Sequence, residues 1–185
     1  MRCFIAIELP EEVKTHLAGL QQSLKKSRAD VRWVNINNIH LTLKFLGDIE
    51  EKSVNSIIRA VRGTCKNHKS INIDIRGIGT FPAGRSPRVL WAGVSNNGEL
   101  LHLQKEIDKE MASLGFAPEK RGFSPHLTLG RFRSSRGRDE LMATIDMITH
   151  DSFGQFDVRS VYLIKSDLKP SGAVYSRIAE FHLDA

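Results

Sequence analysis

The chain has 185 residues, enough for one domain or two small, intimately packed lobes around a real core, and 41% hydrophobic with 26% charged residues is ordinary globular composition. A net charge of +6 favours a polyanionic partner, with RNA foremost, while two distant cysteines, Cys3 and Cys65, indicate neither a disulfide framework nor a zinc site. No apolar run approaches the roughly 18 residues that cross a bilayer, and Glu8 and Pro10 interrupt the opening run against a signal peptide, so no membrane contact is expected and the cytoplasm is the expected location.

Residues 3–9 are rich in strand formers and close at Pro10, after which Glu11 and Glu12 suit the positive end of a helix reaching about Lys26, with Val13, Leu17, Leu20 and Leu24 as its apolar stripe. A short strand over 30–34 and a turn over 35–38 lead into a strand from His40 that ends at Gly47-Asp48. A helix follows over about 51–65, with Val54, Ile57, Ile58 and Val61 on its apolar face, and residues 71–75 alternate as a strand. Proline and glycine punctuate 81–87 before a strand over 88–94; the two runs predict a hairpin with a basic tip carrying Arg85 and Arg88. Asn96-Asn97-Gly98 reads as a turn, and 99–114 as a helix with Leu100, Leu103, Ile107, Met111 and Leu114 on one face, capped by Gly115. A strand over 123–132, a basic loop over 134–138, a helix over 139–149 and two strands over 156–166 and 174–183 complete the chain. His16, His102, His150 and His182 fall on helix flanks or element ends, where surface positions without chemistry are expected.

Two of these strands carry one word: His40-Leu41-Thr42-Leu43 and His126-Leu127-Thr128-Leu129. Successive side chains on a strand face opposite ways, so each copy points two leucines to a core and an imidazole and a hydroxyl to the other face. One such strand is unremarkable, because threonine favours strands and histidine is often partly buried for packing. The repetition points to a fold of two similar halves whose two polar pairs face one small anion, such as a phosphate diester. The loose recurrence of strand-helix-motif strand-helix predicts an α+β fold. Its two lobes of antiparallel sheet, related by approximate two-fold symmetry and carrying outer helices, surround a central cleft as one bilobal domain over 1–185.

The chain resembles the two-histidine phosphoesterase superfamily, and within it the RNA 2′,3′-cyclic phosphodiesterases long called 2′-5′ RNA ligases. The likeness runs nearly end to end, through Arg2-Cys3-Phe4-Ile5-Ala6-Ile7, His40-Leu41-Thr42-Leu43-Lys44-Phe45-Leu46-Gly47, Pro125-His126-Leu127-Thr128-Leu129-Gly130-Arg131, and Ser166-Asp167-Leu168 with Tyr175. Opening a cyclic phosphate with water needs a base for the water and an acid for the leaving ribose oxygen, on opposite sides of phosphorus. Two imidazoles suit this because an ordinary pKa near about 6.5 lets one be neutral while the other is charged. The resemblance implies His40 as acid to the 3′-oxygen and His126 as base to the water, leaving a 2′-phosphate; in the reverse direction the roles exchange, and attack by a 5′-hydroxyl in place of water joins RNA ends through a 2′-5′ bond. No cofactor and no metal are expected: the strained ester supplies the driving force, there is no Gly-x-x-x-x-Gly-Lys-Ser/Thr loop, and no His or carboxylate cluster at ligand spacing stands out.

Thr42 and Thr128 are expected to donate to the non-bridging oxygens. Arg131 follows the second motif at an odd offset that puts it on the wrong face of a regular strand; a bulge at Gly130 would turn it inward as a phosphate ligand, as the resemblance implies. In the first copy Lys44 and Phe45 stand in the corresponding places. Lys44 shares the parity of His40 and Thr42, so it either reaches the substrate backbone or is a solvated strand-end lysine. Phe4 and Phe45 are candidates for stacking on a base, with core positions as the competing reading. Arg121 and Phe123 are candidates for lining the cleft, and Arg85, Arg88, Arg133, Arg136 and Arg138 for a track along RNA phosphates. The expected partner is RNA or a nucleotide ending in a 2′,3′-cyclic phosphate, and the expected state is a monomer. The competing functions are a phosphodiesterase on another cyclic or 2′-5′ linked nucleotide and a non-catalytic RNA-binding module.

Overall fold

A computed structural model describes residues 1–95 and 98–184. In chain order the elements are β1 (Arg2–Glu8), α1 (Glu11–Lys25), β2 (Val31–Trp33), β3 (His40–Asp48), α2 (Val54–Cys65), β4 (Ile71–Phe81) and β5 (Val89–Val94), then α3 (Gly98–Ser113), β6 (His126–Phe132), α4 (Arg138–Ile148), β7 (Ser152–Val158), β8 (Ser160–Lys169) and β9 (Gly172–His182). The turn expected at Asn96-Asn97 lies outside the described residues.

The strands form two antiparallel sheets, ordered β3-β1-β8-β9 and β2-β6-β5-β4-β7. Helices α2 and α3 pack on each other and against β9 and β3, while α1 and α4 pack on each other and against β7 and β4. The fold is thus α+β, two sheets with outer helices, as the repeated word predicts. Matching the sheets from their motif strands pairs β3 with β6, β1 with β5, β8 with β4 and β9 with β7; β2 is an extra strand along the free edge of β6.

The lobes are not consecutive halves of the chain. It starts in the first sheet, crosses to the second for β2, returns for β3, stays in the second from β4 to β7, and closes the first with β8 and β9. The run read as one strand over 156–166 is therefore two. β7 pairs with β4, β8 pairs with β1, and exposed Arg159 marks the crossing. Val158 and Val161 are both buried, each behind its own sheet, so the apolar pattern hides the change of partner. β4 also runs past the expected 71–75 to Phe81, through a register shift between Ile75 and Ile78 where Gly77 has φ +78°. Its hairpin with β5 is present as expected.

One continuous apolar cluster joins helices and sheets, and it takes in the predicted stripe of α1 together with Leu41, Leu43, Leu127 and Leu129. Burying each leucine contributes about 1.5–3 kcal/mol, so the apolar face alone holds each motif strand in place. Leu114 departs from expectation: it lies beyond the end of α3, 40% exposed, beside the Gly115 turn at φ +92°. A small second cluster of Phe4, Ala6 and Ile164, flanked by Tyr162 and Tyr175, lies on the other face of the first sheet, under the cleft.

Candidate active site

The two sheets meet along their motif strands, β3 beside β6, and enclose a cavity of about 1040 Å³. His40, Thr42, His126 and Thr128 all line it. The alternation expected of each copy holds: in both strands the histidine and threonine are partly exposed on the cleft side and the leucines are buried behind.

Each imidazole is held the same way. His40 Nδ1 lies 2.7 Å from the carbonyl oxygen of Asn38, and His126 Nδ1 lies 2.7 Å from that of Ser124, two residues back in each case. A carbonyl only accepts, so Nδ1 carries the hydrogen in both rings, and in the neutral imidazole Nε2 is the acceptor nitrogen. The rings differ in their surroundings. His40 stacks on Phe4 at 4.6 Å between centroids and meets the edge of Tyr175 at 5.3 Å. His126 meets the edge of Phe81 at 5.1 Å, and Phe81 leans in turn on Trp91. Burial among these rings pushes the His40 imidazole below its ordinary range, against the opposing pull of the Asn38 carbonyl and the Glu8 carboxylate.

The third position of each motif is set by a bulge. In β6, Thr128 pairs with Trp91 and Gly130 with Leu90, so Leu129 is an extra residue and parity reverses after it. Arg131 consequently faces the cavity, as the glycine suggested. In β3, Thr42 pairs with Ala6 and Lys44 with Ile5, so Leu43 is extra at the same place in the word. That second bulge overturns the reading of Lys44 by parity. Lys44 is buried, with its ammonium bonded to Asp108 at 2.6 Å and to the carbonyl of Ala117 at 2.6 Å, although part of its side chain borders the cavity. Phe45, for which a core place competed, is 65% exposed and lines the cavity instead. Phe4 is the buried residue of the pair; its ring stacks on His40 and borders the cavity.

Arg88, Arg121 and Phe123 border the cavity, but Arg85, Arg133, Arg136 and Arg138 do not, and Arg136 and Arg138 lie near Asp30 and Asp139. Phe81, placed in a turn by its proline neighbours, and Tyr175 are cavity residues that residue-by-residue reading missed; Tyr175 stood out only through family likeness. One cluster among the described residues has metal-ligand character, which corrects the expectation of none: His102 and Glu106, one turn apart on α3, converge with His68 so that their ligand atoms lie within 4.8 Å of one another. His68 Nε2 sits 2.5 Å from Glu106, and this hydrogen bond above all holds the Glu106 carboxyl below the usual range. None of the three borders the cavity.

A family model described as the 2′-5′ RNA ligase superfamily matches residues 9–170. A protein of Methanothermobacter thermautotrophicus named RNA 2′,3′-cyclic phosphodiesterase is 38% identical over 183 residues, 99% of each chain. One of the same name from Methanocaldococcus jannaschii is 35% identical over 181 residues, 98% of this chain and 100% of its own. A crystal structure from Thermus thermophilus has the same fold, with a TM-score of 0.85 and 28% identity over 99% of this chain and 98% of that one.

Proposed function

The chain belongs to the 2′-5′ RNA ligase superfamily, and from that premise we propose that it is an RNA 2′,3′-cyclic phosphodiesterase that works by two-histidine acid/base catalysis without a metal ion. The observation that carries the reading is the matched pair of imidazoles, each with Nδ1 tied to a backbone carbonyl and Nε2 left for the same cavity. Water attacks phosphorus while His126 takes its proton; the P–O3′ bond breaks as His40 delivers a proton to the leaving oxygen, and a 2′-phosphate remains. Thr42, Thr128 and Arg131 hold the non-bridging oxygens, whose charge grows in the transition state. With a 5′-hydroxyl in place of water the same steps apply: His126 takes its proton, the P–O3′ bond breaks as His40 protonates O3′, and a 2′-5′ bond joins the strands.

Burial disfavours the charged form of His40, and a phosphate bound beside the ring favours it, which suits the acid role. Phe45, Phe81 and Phe123 give the cavity an aromatic side suited to the terminal base. The test is turnover of an oligonucleotide ending in 2′,3′-cyclic phosphate in excess EDTA, with the product identified. A terminal 2′-phosphate is expected. A 3′-phosphate, or activity lost in EDTA and restored by a divalent metal, overturns the proposal.

A further inference from the structure

A second groove, of about 810 Å³, opens from the cavity past His40 and Arg131. Both spaces share Asn38, Ile39, His40, Arg131, Ala173 and Tyr175 in their linings, so they adjoin at His40 and Arg131. The two arms differ in kind. The cavity is aromatic, whereas the groove offers Arg32, Asn37, Ser171 and Ser176 along its walls.

The charge arrangement at the mouth of the groove calls for an anion. On the extra strand β2, Arg32 is the direct cross-strand partner of Arg131 on β6. Two cations placed opposite each other on neighbouring strands repel. Among the described residues neither guanidinium has an acidic partner, although the protein pairs its other cations nearby: Lys14 with Glu11, and Arg177 with Glu8 through two hydrogen bonds. Glu8, the groove's own carboxylate, is thereby neutralised. The reacting phosphate answers Arg131, and a phosphodiester seated beside it on Arg32 takes the forked donors of that side chain and removes the remaining repulsion.

We propose that this groove is the subsite for single-stranded RNA beyond the reacting nucleotide, with Arg32 gripping the first phosphodiester outside the reaction centre, next to Arg131 on the reacting one. The proposal rests on the phosphodiesterase reading and adds to it where the polynucleotide runs. A cyclic mononucleotide fills the aromatic cavity alone, whereas a cyclic-ended oligonucleotide fills both arms, so the protein prefers the longer substrate. Arg32 confers that preference by position and takes no part in the reaction.

The test compares native protein with Arg32→Ala and the rescue variant Arg32→Lys on a cyclic mononucleotide and on a cyclic-ended oligonucleotide. Arg32→Ala is expected to raise KM for the oligonucleotide about tenfold, leave kcat and all mononucleotide constants unchanged, and lower the slope of log KM against log salt by roughly 0.7, the release expected for one phosphate contact on a single strand. Arg32→Lys restores most of the KM and the salt slope. The second source of the same chemistry is a strand ending in a 5′-hydroxyl: if Arg32→Ala leaves KM for the oligonucleotide intact but weakens competitive inhibition by a 5′-hydroxyl oligonucleotide, the groove holds the strand to be joined. No change in either measurement overturns the proposal. Native protein inert towards the mononucleotide as well would overturn the function proposed above, and binding of the oligonucleotide to native and Arg32→Ala protein, followed by fluorescence anisotropy, would still decide the groove.

Discussion

The two motif strands begin alike and then diverge. β3 and β6 both run His-Leu-Thr-Leu, both tie their imidazole to the carbonyl two residues back, and both insert an extra leucine after the threonine. The next two residues differ because their neighbours do. Beside β6 lies β2, so close that a Cβ on Gly130 would sit 2.5 Å from Val31 Cγ1. β3 is an edge strand, and there Lys44 has room to turn inward to Asp108 on α3. The repeated word thus supplies two matched imidazoles at one cavity, while the unmatched flank brings an arginine to its wall from one lobe and a phenylalanine from the other.

The matched part is expected to give the largest effects. His40→Ala and His126→Ala should each lower kcat/KM on a cyclic-ended oligonucleotide by about 10²- to 10⁴-fold, the usual worth of general acid or base catalysis. If the two act in one step, as proposed, the double variant should be little worse than the poorer single one. Near-native turnover by either single variant would break the equivalence of the strands.

The unmatched part should separate rate from affinity. Arg131→Ala should cut kcat by about 100-fold, as loss of a donor to transition-state charge does. Phe45→Ala should leave kcat alone and raise KM about tenfold, the lower end of the cost of losing one stacked base. Equal effects on kcat from both variants would mean that the third positions are not specialised. Lys44→Met sharpens the contrast from the stability side. It leaves Asp108 on α3 with, among the described residues, only the Glu119 N–H as partner, and urea unfolding should show a loss of about 2–3 kcal/mol, below the range for fully buried pairs because Asp108 is 18% exposed. Its kcat should hold, since the ammonium is committed to Asp108 and the Ala117 carbonyl.

The same two strands mark how far the residues alone could be read. Period-two alternation placed His40, Thr42, His126, Thr128 and the four motif leucines on their proper faces, since up to the threonine both strands are regular. It failed at Lys44 and Phe45 because a bulge reverses parity, and in β3 no glycine marks it as Gly130 does in β6. The helices were legible from their stripes. The interleaving of the lobes was not, since the pairings of β1 with β8 and of β4 with β7 join residues far apart in sequence and nothing local records them. Arg32 gave no signal for a related reason: its meaning lies in its opposite neighbour, Arg131.

The smallest expected effect tests the remaining asymmetry, the burial of His40. Phe4→Leu admits water beside the ring and should raise the His40 pKa towards its ordinary value, because desolvation is the largest cause of its depression. In a profile of kcat/KM against pH, the limb governed by His40 should move to higher pH. Limbs report pKa values and not roles, so the height of the plateau decides the role. If His40 is the acid, a higher pKa leaves more of the free protein correctly protonated and the plateau holds or rises. If His40 is the base, the same shift removes the neutral form and activity at about pH 6 to 7, the region of the ordinary imidazole pKa of about 6.5, falls. A fall with Phe4→Leu that is matched by no loss of binding would exchange the roles of the two strands.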